Sequence, residues 1–272
     1  MLLKAKSFLL EFFIFGLKQA RSAIFAGSFF ILLFLSNYIP LFGLARYDFL
    51  FISIVLVQII LYFTHIETKD EIKIIFLFHI IGLMLELFKT NPAVGSWSYP
   101  ESAFFKIGTV PLYSGFMYGA VGGYINQSFK VMKLELTNYK NYFASVMLCL
   151  LIYINFFTNH YFYDIRIFLI IAVFIFFWNT RVYFTVIEKR RWMNLNVAFL
   201  LIAFFIWVAE NISTYFGAWQ YPNQVYSWNV VSTQKITSWF LMVIISFILV
   251  AYLKHFKKEV LKKYKRNNKN YC

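Results

Sequence analysis

Long apolar runs separated by short polar stretches set the rhythm of the chain. They fall at about residues 22–39, 48–64, 72–88, 110–125, 142–157, 163–178, 195–212 and 236–253. A bilayer core calls for roughly 20 apolar residues per helical span, and only helices or closed barrels satisfy their own backbone groups in lipid. The runs are continuous and lack the strict alternation of barrel strands, so they predict helices. The expected fold is all-α and integral to the membrane, with about eight transmembrane helices.

The polar positions between the runs test that count. With eight spans, both tails and the even-numbered connections share one side, and 21 of the 26 basic residues fall there: Lys4, Lys6, Lys18, Arg21; Lys69, Lys73; Lys130, Lys133, Lys140; Arg181, Lys189, Arg190, Arg191; and Lys254, Lys257, Lys258, Lys262, Lys263, Lys265, Arg266 and Lys269. Arg46, Lys89, Lys106, Arg166 and Lys235 fall opposite. Basic loops stay in the cytoplasm, which puts both termini inside.

A duplication is written into the same pattern. Gly95-Ser-Trp-Ser-Tyr-Pro100 is echoed by Gly217-Ala-Trp-Gln-Tyr-Pro222 at an offset of 122, and upstream glutamates, Glu86 and Glu210, repeat at 124. Ser114 and Ser238 follow at 124, and Ser36-Asn37-Tyr38 precedes Thr158-Asn159-His160 at 122. Tyr47-Asp48 matches Tyr163-Asp164 across a shorter loop. Four helices are an even number, so the two copies enter the membrane in the same direction and form parallel repeats. The expected organisation is an amphipathic cytoplasmic segment at 1–21, repeats at 22–130 and 142–254, and a basic cytoplasmic tail at 255–272. The opening segment resembles a signal peptide, but Glu11 interrupts it and no small-residue cleavage site follows. It reads as a retained helix on the inner leaflet.

Composition narrows the class. Hydrophobic residues make up 61% of the 272 positions and charged residues 14%, with a mean hydropathy of +0.64, against about 25% charged in soluble domains. The net charge of +14 is accounted for by cytoplasmic loops, so nucleic acid is not an expected partner; membrane lipids and a hydrophobic small molecule are. Cys149 lies in an apolar run and Cys272 at the tail, which indicates neither a disulfide framework nor a thiolate site. The histidines are dispersed, so no metal and no cofactor is predicted.

Candidate chemistry gathers on the outer side. A carboxylate within a span normally faces a cavity or a partner, which makes Glu86 and Glu210 the candidate acid and base of a shared cleft. His79, seven residues before Glu86, lies on the same helical face and is the candidate relay. Trp97, Tyr99, Trp219 and Tyr221 read either as an interfacial aromatic belt or as the roof of the cleft, in a turn shaped by glycine and proline. Asn37, Asn159, Asp48 and Asp164 read as caps or as ligand contacts at the outer mouth. The stretch from Gly108 through Gly119, Gly122 and Gly123 reads as a close helix-packing face.

With E-L-F-K-T, G-S-W-S-Y-P-E and G-x-V-P-L-Y-S-G-F-M-Y between Glu86 and Tyr118, the chain resembles the YoaT-type bacterial multi-pass membrane proteins of unknown function. That resemblance implies a bacterial inner membrane and brings no activity. A fainter similarity is to the membrane lycopene cyclases and carotenoid hydratases. It departs at Pro111, which leads into Leu-Tyr-Ser where those enzymes carry paired acids. Three functions stay open: an acid/base enzyme acting on an isoprenoid or other lipid, a proton-coupled small-solute transporter, and a scaffold using its basic tail.

Overall fold

The structure, a computed structural model, describes residues 2–139 and 141–269, with side chains over 8–139 and 141–254. Lys140 and Cys272 lie outside the described residues. Each of the eight apolar runs forms a helix: α2 (Ile24–Leu35), α3 (Arg46–Phe63), α4 (Lys69–Lys89), α5 (Tyr113–Val131), α6 (Tyr142–Thr158), α7 (Arg166–Phe176), α8 (Leu195–Tyr215) and α9 (Lys235–Lys269). They follow α1 (Leu2–Ser22), which meets α2 at a bend of 74°.

Helix lengths refine the expectation. Three stretches, Arg46–Phe63, Leu195–Tyr215 and Lys235–Lys254, are long and apolar enough to cross a membrane, and the bent α1–α2 pair makes a fourth if it counts as one span. The 11 residues of α7 rise only about 16 Å at ~1.5 Å per residue, well short of a ~30 Å hydrocarbon core. Its apolar run extends into turns at both ends, where backbone hydrogen bonding is no longer helical.

The all-α expectation is corrected by five short strands. β1 (Lys106–Ile107) and β2 (Val110–Pro111) form a hairpin, and β3 (Glu135–Thr137), β4 (Arg181–Thr185) and β5 (Arg190–Asn194) form an antiparallel sheet in the order β3-β4-β5. The connections that read as basic loops are therefore a folded sheet. Charge hid an alternating, β-branched and aromatic pattern in Arg181-Val-Tyr-Phe-Thr, and opposing basic and aromatic side chains stabilise the register. Arg181 lies 4.3 Å from the Trp192 ring centre and Arg190 lies 4.2 Å from that of Tyr183. α1 docks here: Lys18 Nζ donates to the Thr185 carbonyl at 3.0 Å, and Arg191 pairs with Glu11 at 2.6 Å.

Helix α4 starts on a capping box, in which Thr68 N–H donates to Glu71 Oε2 at 2.6 Å and Glu71 N–H to Thr68 Oγ1 at 3.4 Å. It then packs along the glycine face of α5, as the small-residue stretch predicts. A Cβ on Gly115 would stand 2.6 Å from His79 Nδ1, one on Gly119 2.9 Å from Ile75 Cγ2, and one on Gly122 would meet the Phe78 ring. Only glycine lets these backbones approach so closely.

Two hydrophobic clusters result. One joins α6–α9 to faces of α4 and α5; the other joins α2, α3 and α5 to the aromatic loops. Large apolar side chains also face outward, among them Phe63, Phe76, Phe168, Ile175 and Phe205.

Candidate functional site

The two tryptophan loops meet. Ser98 N–H donates to the Gln220 carbonyl and Gln220 N–H to that of Ser98, each at 2.9 Å, an antiparallel bridge between equivalent positions of the repeated motif. Gly95 and Gly217 adopt φ of +56° and +70°, left-handed values that favour glycine. Arg46 clamps the junction: its guanidinium pairs with Glu101 at 2.6 Å and donates to the Phe216 and Gly217 carbonyls at 2.9 and 2.5 Å.

Each loop tyrosine reaches the glutamate of its own copy. Glu86 accepts from Trp97 Nε1 at 2.7 Å and from the hydroxyls of Tyr99 and Tyr118 at 2.8 Å each. Glu210 accepts from the Tyr221 hydroxyl at 2.5 Å and from Trp239 Nε1 at 2.8 Å. Burial above all, and then the adjacent glutamate, hold both loop phenols well above the usual tyrosine range. They stay protonated and act as donors.

The two acids differ in their surroundings. Glu86 is 2% exposed and enclosed by three donors. Glu210 contributes to the wall of a cavity of about 170 Å³, which Trp97, Tyr118, Tyr221 and Trp239 also line. Trp219 is buried in the apolar cluster beside the loop and has no role equivalent to that of Trp97 at Glu86. Glu86 itself is not among the residues lining this cavity, whereas Trp97 and Tyr118, which donate to it, are.

His79 stands apart from Glu86. It packs against Phe116, with ring centres 4.3 Å apart, and its Nδ1 has no hydrogen-bond partner. Glu86 draws its donors from the aromatic loop and α5, so the shared helical face produces no His79–Glu86 contact. Asn37 donates to the Leu33 carbonyl at 3.0 Å, closing its own helix end away from the cavity. Asn159 lines the cavity and accepts from Lys89 Nζ at 3.4 Å. Asp164 caps α7 through Arg166 N–H at 2.9 Å. Asp48 reaches across to Phe104 and Phe105 N–H, both at 2.8 Å, and pins the first loop.

Basic side chains add to the cavity wall. Lys89, Arg166 and Lys235 line it with His160. Lys89 Nζ stands 2.7 Å from His160 Nε2. An ammonium only donates, so this imidazole is neutral and accepts. Partial burial, reinforced by Lys89 and Lys235, holds its pKa below the usual histidine value. Lys235 Nζ lies 4.5 Å from the Tyr221 ring centre and 5.2 Å from that of Trp97. A signal was available, since these three are among the five basic residues that break the inward charge bias. Among the described residues no group of three or more His, Cys, Asp or Glu is arranged to hold a metal ion.

Comparison with known proteins agrees with the motifs around this junction. The chain is 49% identical over 245 residues to the uncharacterized protein YoaT of Bacillus subtilis (strain 168), covering 90% of this chain and 92% of that protein. No solved structure matches it. Residues 11–247 match the model of DUF817, a protein family of unknown function. The chain belongs to the DUF817 family.

Proposed function

We propose that the chain crosses a bacterial inner membrane eight times as two parallel four-helix repeats (22–130 and 142–254), with the 1–21 segment and the 255–272 tail in the cytoplasm. We further propose that it is an enzyme acting by acid/base chemistry on a lipid-like molecule, whose polar end enters the cavity beside Glu210. The outward-facing apolar side chains and the one-sided basic residues support the membrane reading. The exposed aromatics Tyr38, Phe42, Tyr161, Phe162 and Tyr163 at the outer turns suit an interface that meets the short α2 and α7.

The observation that carries the functional reading is the unequal placement of the two acids. Glu86 is sealed by neutral donors, whereas Glu210 borders a cavity under the joined loops. A carboxylate held by Tyr221 and Trp239 is fixed in orientation, and with one side toward the cavity it can exchange a proton with a bound group. Glu86 positions the wall; Glu210 does the chemistry. At about 170 Å³ the cavity is smaller than the ~300–1,000 Å³ that encloses a drug-sized ligand. It takes a head group, and the apolar remainder stays in the bilayer.

Lipid extracts from a deletion strain, complemented with the wild type or with Glu210→Gln, test this by mass spectrometry. Loss of an acid/base group slows a reaction by about 10²–10⁴-fold, so Glu210→Gln is expected to reproduce the deletion profile. A wild-type lipid profile in the Glu210→Gln strain would sink the enzyme reading.

A further inference from the structure

Outside the acid pair, the most unusual feature of the molecule is the cation content of this cavity. Lys89 is 6% exposed, yet its ammonium meets neutral groups, Asn159 and His160 at hydrogen-bond distance and the Phe88 ring at 5.8 Å. Lys235 rests against aromatic faces. Neither lysine is ion-paired to a carboxylate among the described residues. Arg166 is only partly neutralised: Asp164 takes one guanidinium nitrogen at 3.3 Å, Thr237 another at 3.4 Å, and its buried Nε has no partner. A buried cation without a counter-charge is costly, and Lys89, with the half-buried Lys235 and the partly neutralised Arg166 around the same small cavity, calls for an anion.

The fold adds to the field. Helices α7 and α9 start at Arg166 and Lys235, so two helix N-termini, each with partial positive charge, lie at the same cavity. Glu86 and Glu210 offset part of the charge on Lys235, but their hydrogen bonds go to neutral Trp and Tyr donors, and neither forms an ion pair with a cavity cation among the described residues. Lys89, Arg166 and Lys235 set against Glu210 in the lining and the Asp164 that pairs with Arg166 leave a net +1, the sign that an anionic head group complements.

We propose that this cavity is an oxyanion site in which Lys89, Lys235 and Arg166 hold a phosphate-sized head group. The assignment rests on the cavity described above and not on the acid/base chemistry of Glu210. A free phosphate and the head of a phospholipid share the recognised chemistry.

Full-length protein in a neutral maltoside detergent, at constant ionic strength, tests it by intrinsic tryptophan fluorescence and thermal melting. Three probes are titrated: inorganic phosphate, dioctanoyl phosphatidic acid and uncharged dioctanoylglycerol. At least one of the two anions is expected to bind saturably. Lys235→Met and Lys89→Met are expected to weaken it at least tenfold, while Lys69→Met, on the exposed start of α4 away from the cavity, leaves it within twofold. Binding of phosphatidic acid alone identifies a lipid head, binding of phosphate alone a soluble ligand, and binding of both a head group read without its tail; each supports the site. If either lysine variant fails to fold, the double substitution Arg166→Gln with His160→Gln carries the same tenfold expectation from the exposed rim.

No saturable response to either anion overturns the proposal, and so does undiminished anion binding in the cavity variants. Tight binding of dioctanoylglycerol with no preference for the phosphate overturns the anion assignment while leaving the lipid cavity standing. Loss of lipid chemistry in Glu210→Gln with normal phosphate binding separates the two readings in the other direction.

Discussion

At the scale of single residues, Glu86 and Glu210 are each held by neutral Trp and Tyr donors. A carboxylate inside an apolar run is conspicuous because burying it is costly without donors, and each collects its donors from an aromatic loop and from the helix that follows, α5 for Glu86 and α9 for Glu210. Which rings would reach which acid was illegible, because the donors to Glu86 lie 11, 13 and 32 residues away and only tertiary packing unites them. His79 shows the limit of helical periodicity: a shared face aligns Cβ atoms but does not choose what each side chain touches. Glu86→Leu would leave three donors unsatisfied; at about 1–3 kcal/mol for each orphaned group, it is expected to yield no folded protein by size exclusion in detergent. Tyr118→Phe removes one donor and is expected to cost about 1–2 kcal/mol in thermal unfolding, with the fold retained.

His160 supplies a pH test. Its folded pKa is lowered, so the unfolded chain binds more protons between that value and the ordinary ~6.5. Stability is therefore complete above about pH 6.5 and declines as the pH falls through this window. Melting curves between pH 7.5 and 5 are expected to show the decline, and His160→Gln is expected to remove part of it. An unaltered slope in the variant would dissociate the imidazole from the effect.

Among elements, helix existence was readable throughout and element ends were not. Uninterrupted apolar runs gave all eight helices, because burial against neighbours and lipid both favour the same residues. The runs overshot at α2 and α7 since hydrophobicity does not mark where hydrogen bonding turns from helix to turn. The β3–β5 sheet escaped because its charges were counted for topology and not read for alternation. The glycine face of α5 was read correctly from composition alone. Gly115→Ala drives a Cβ to within 2.7 Å of the His79 carbonyl oxygen, and overpacking of this kind costs about 1–3 kcal/mol. A lowered melting temperature is expected, whereas Gly16→Ala, with open space around it, is expected to leave melting unchanged or slightly raised.

For the molecule as a whole, the proposed topology places both tryptophan loops outside and the β4–β5 hairpin inside. Single cysteines at Ala93, Asn223 and Lys189, in a background lacking Cys149 and Cys272, are expected to separate accordingly. The first two should react with a membrane-impermeant maleimide in intact cells, and the third only after permeabilisation. Labelling of Ala93→Cys and Asn223→Cys from opposite sides would break the parallel arrangement. The two Gly-x-Trp-x-Tyr-Pro motifs are legible in the sequence at an offset of 122, whereas the direct bridge between the two loops needs three dimensions.

The Arg46 clamp bears on how the protein is made. Its carbonyl acceptors at Phe216 and Gly217 lie 170 and 171 residues downstream. At ~5–20 residues per second a ribosome delivers them on the order of ten seconds or more after Arg46. Until then the guanidinium has Glu101 but lacks the partners that tie the first half to the second. The junction of the loops is thus sealed late in biogenesis, and a chain ending before α8 keeps an under-satisfied cation where the finished fold has a clamp.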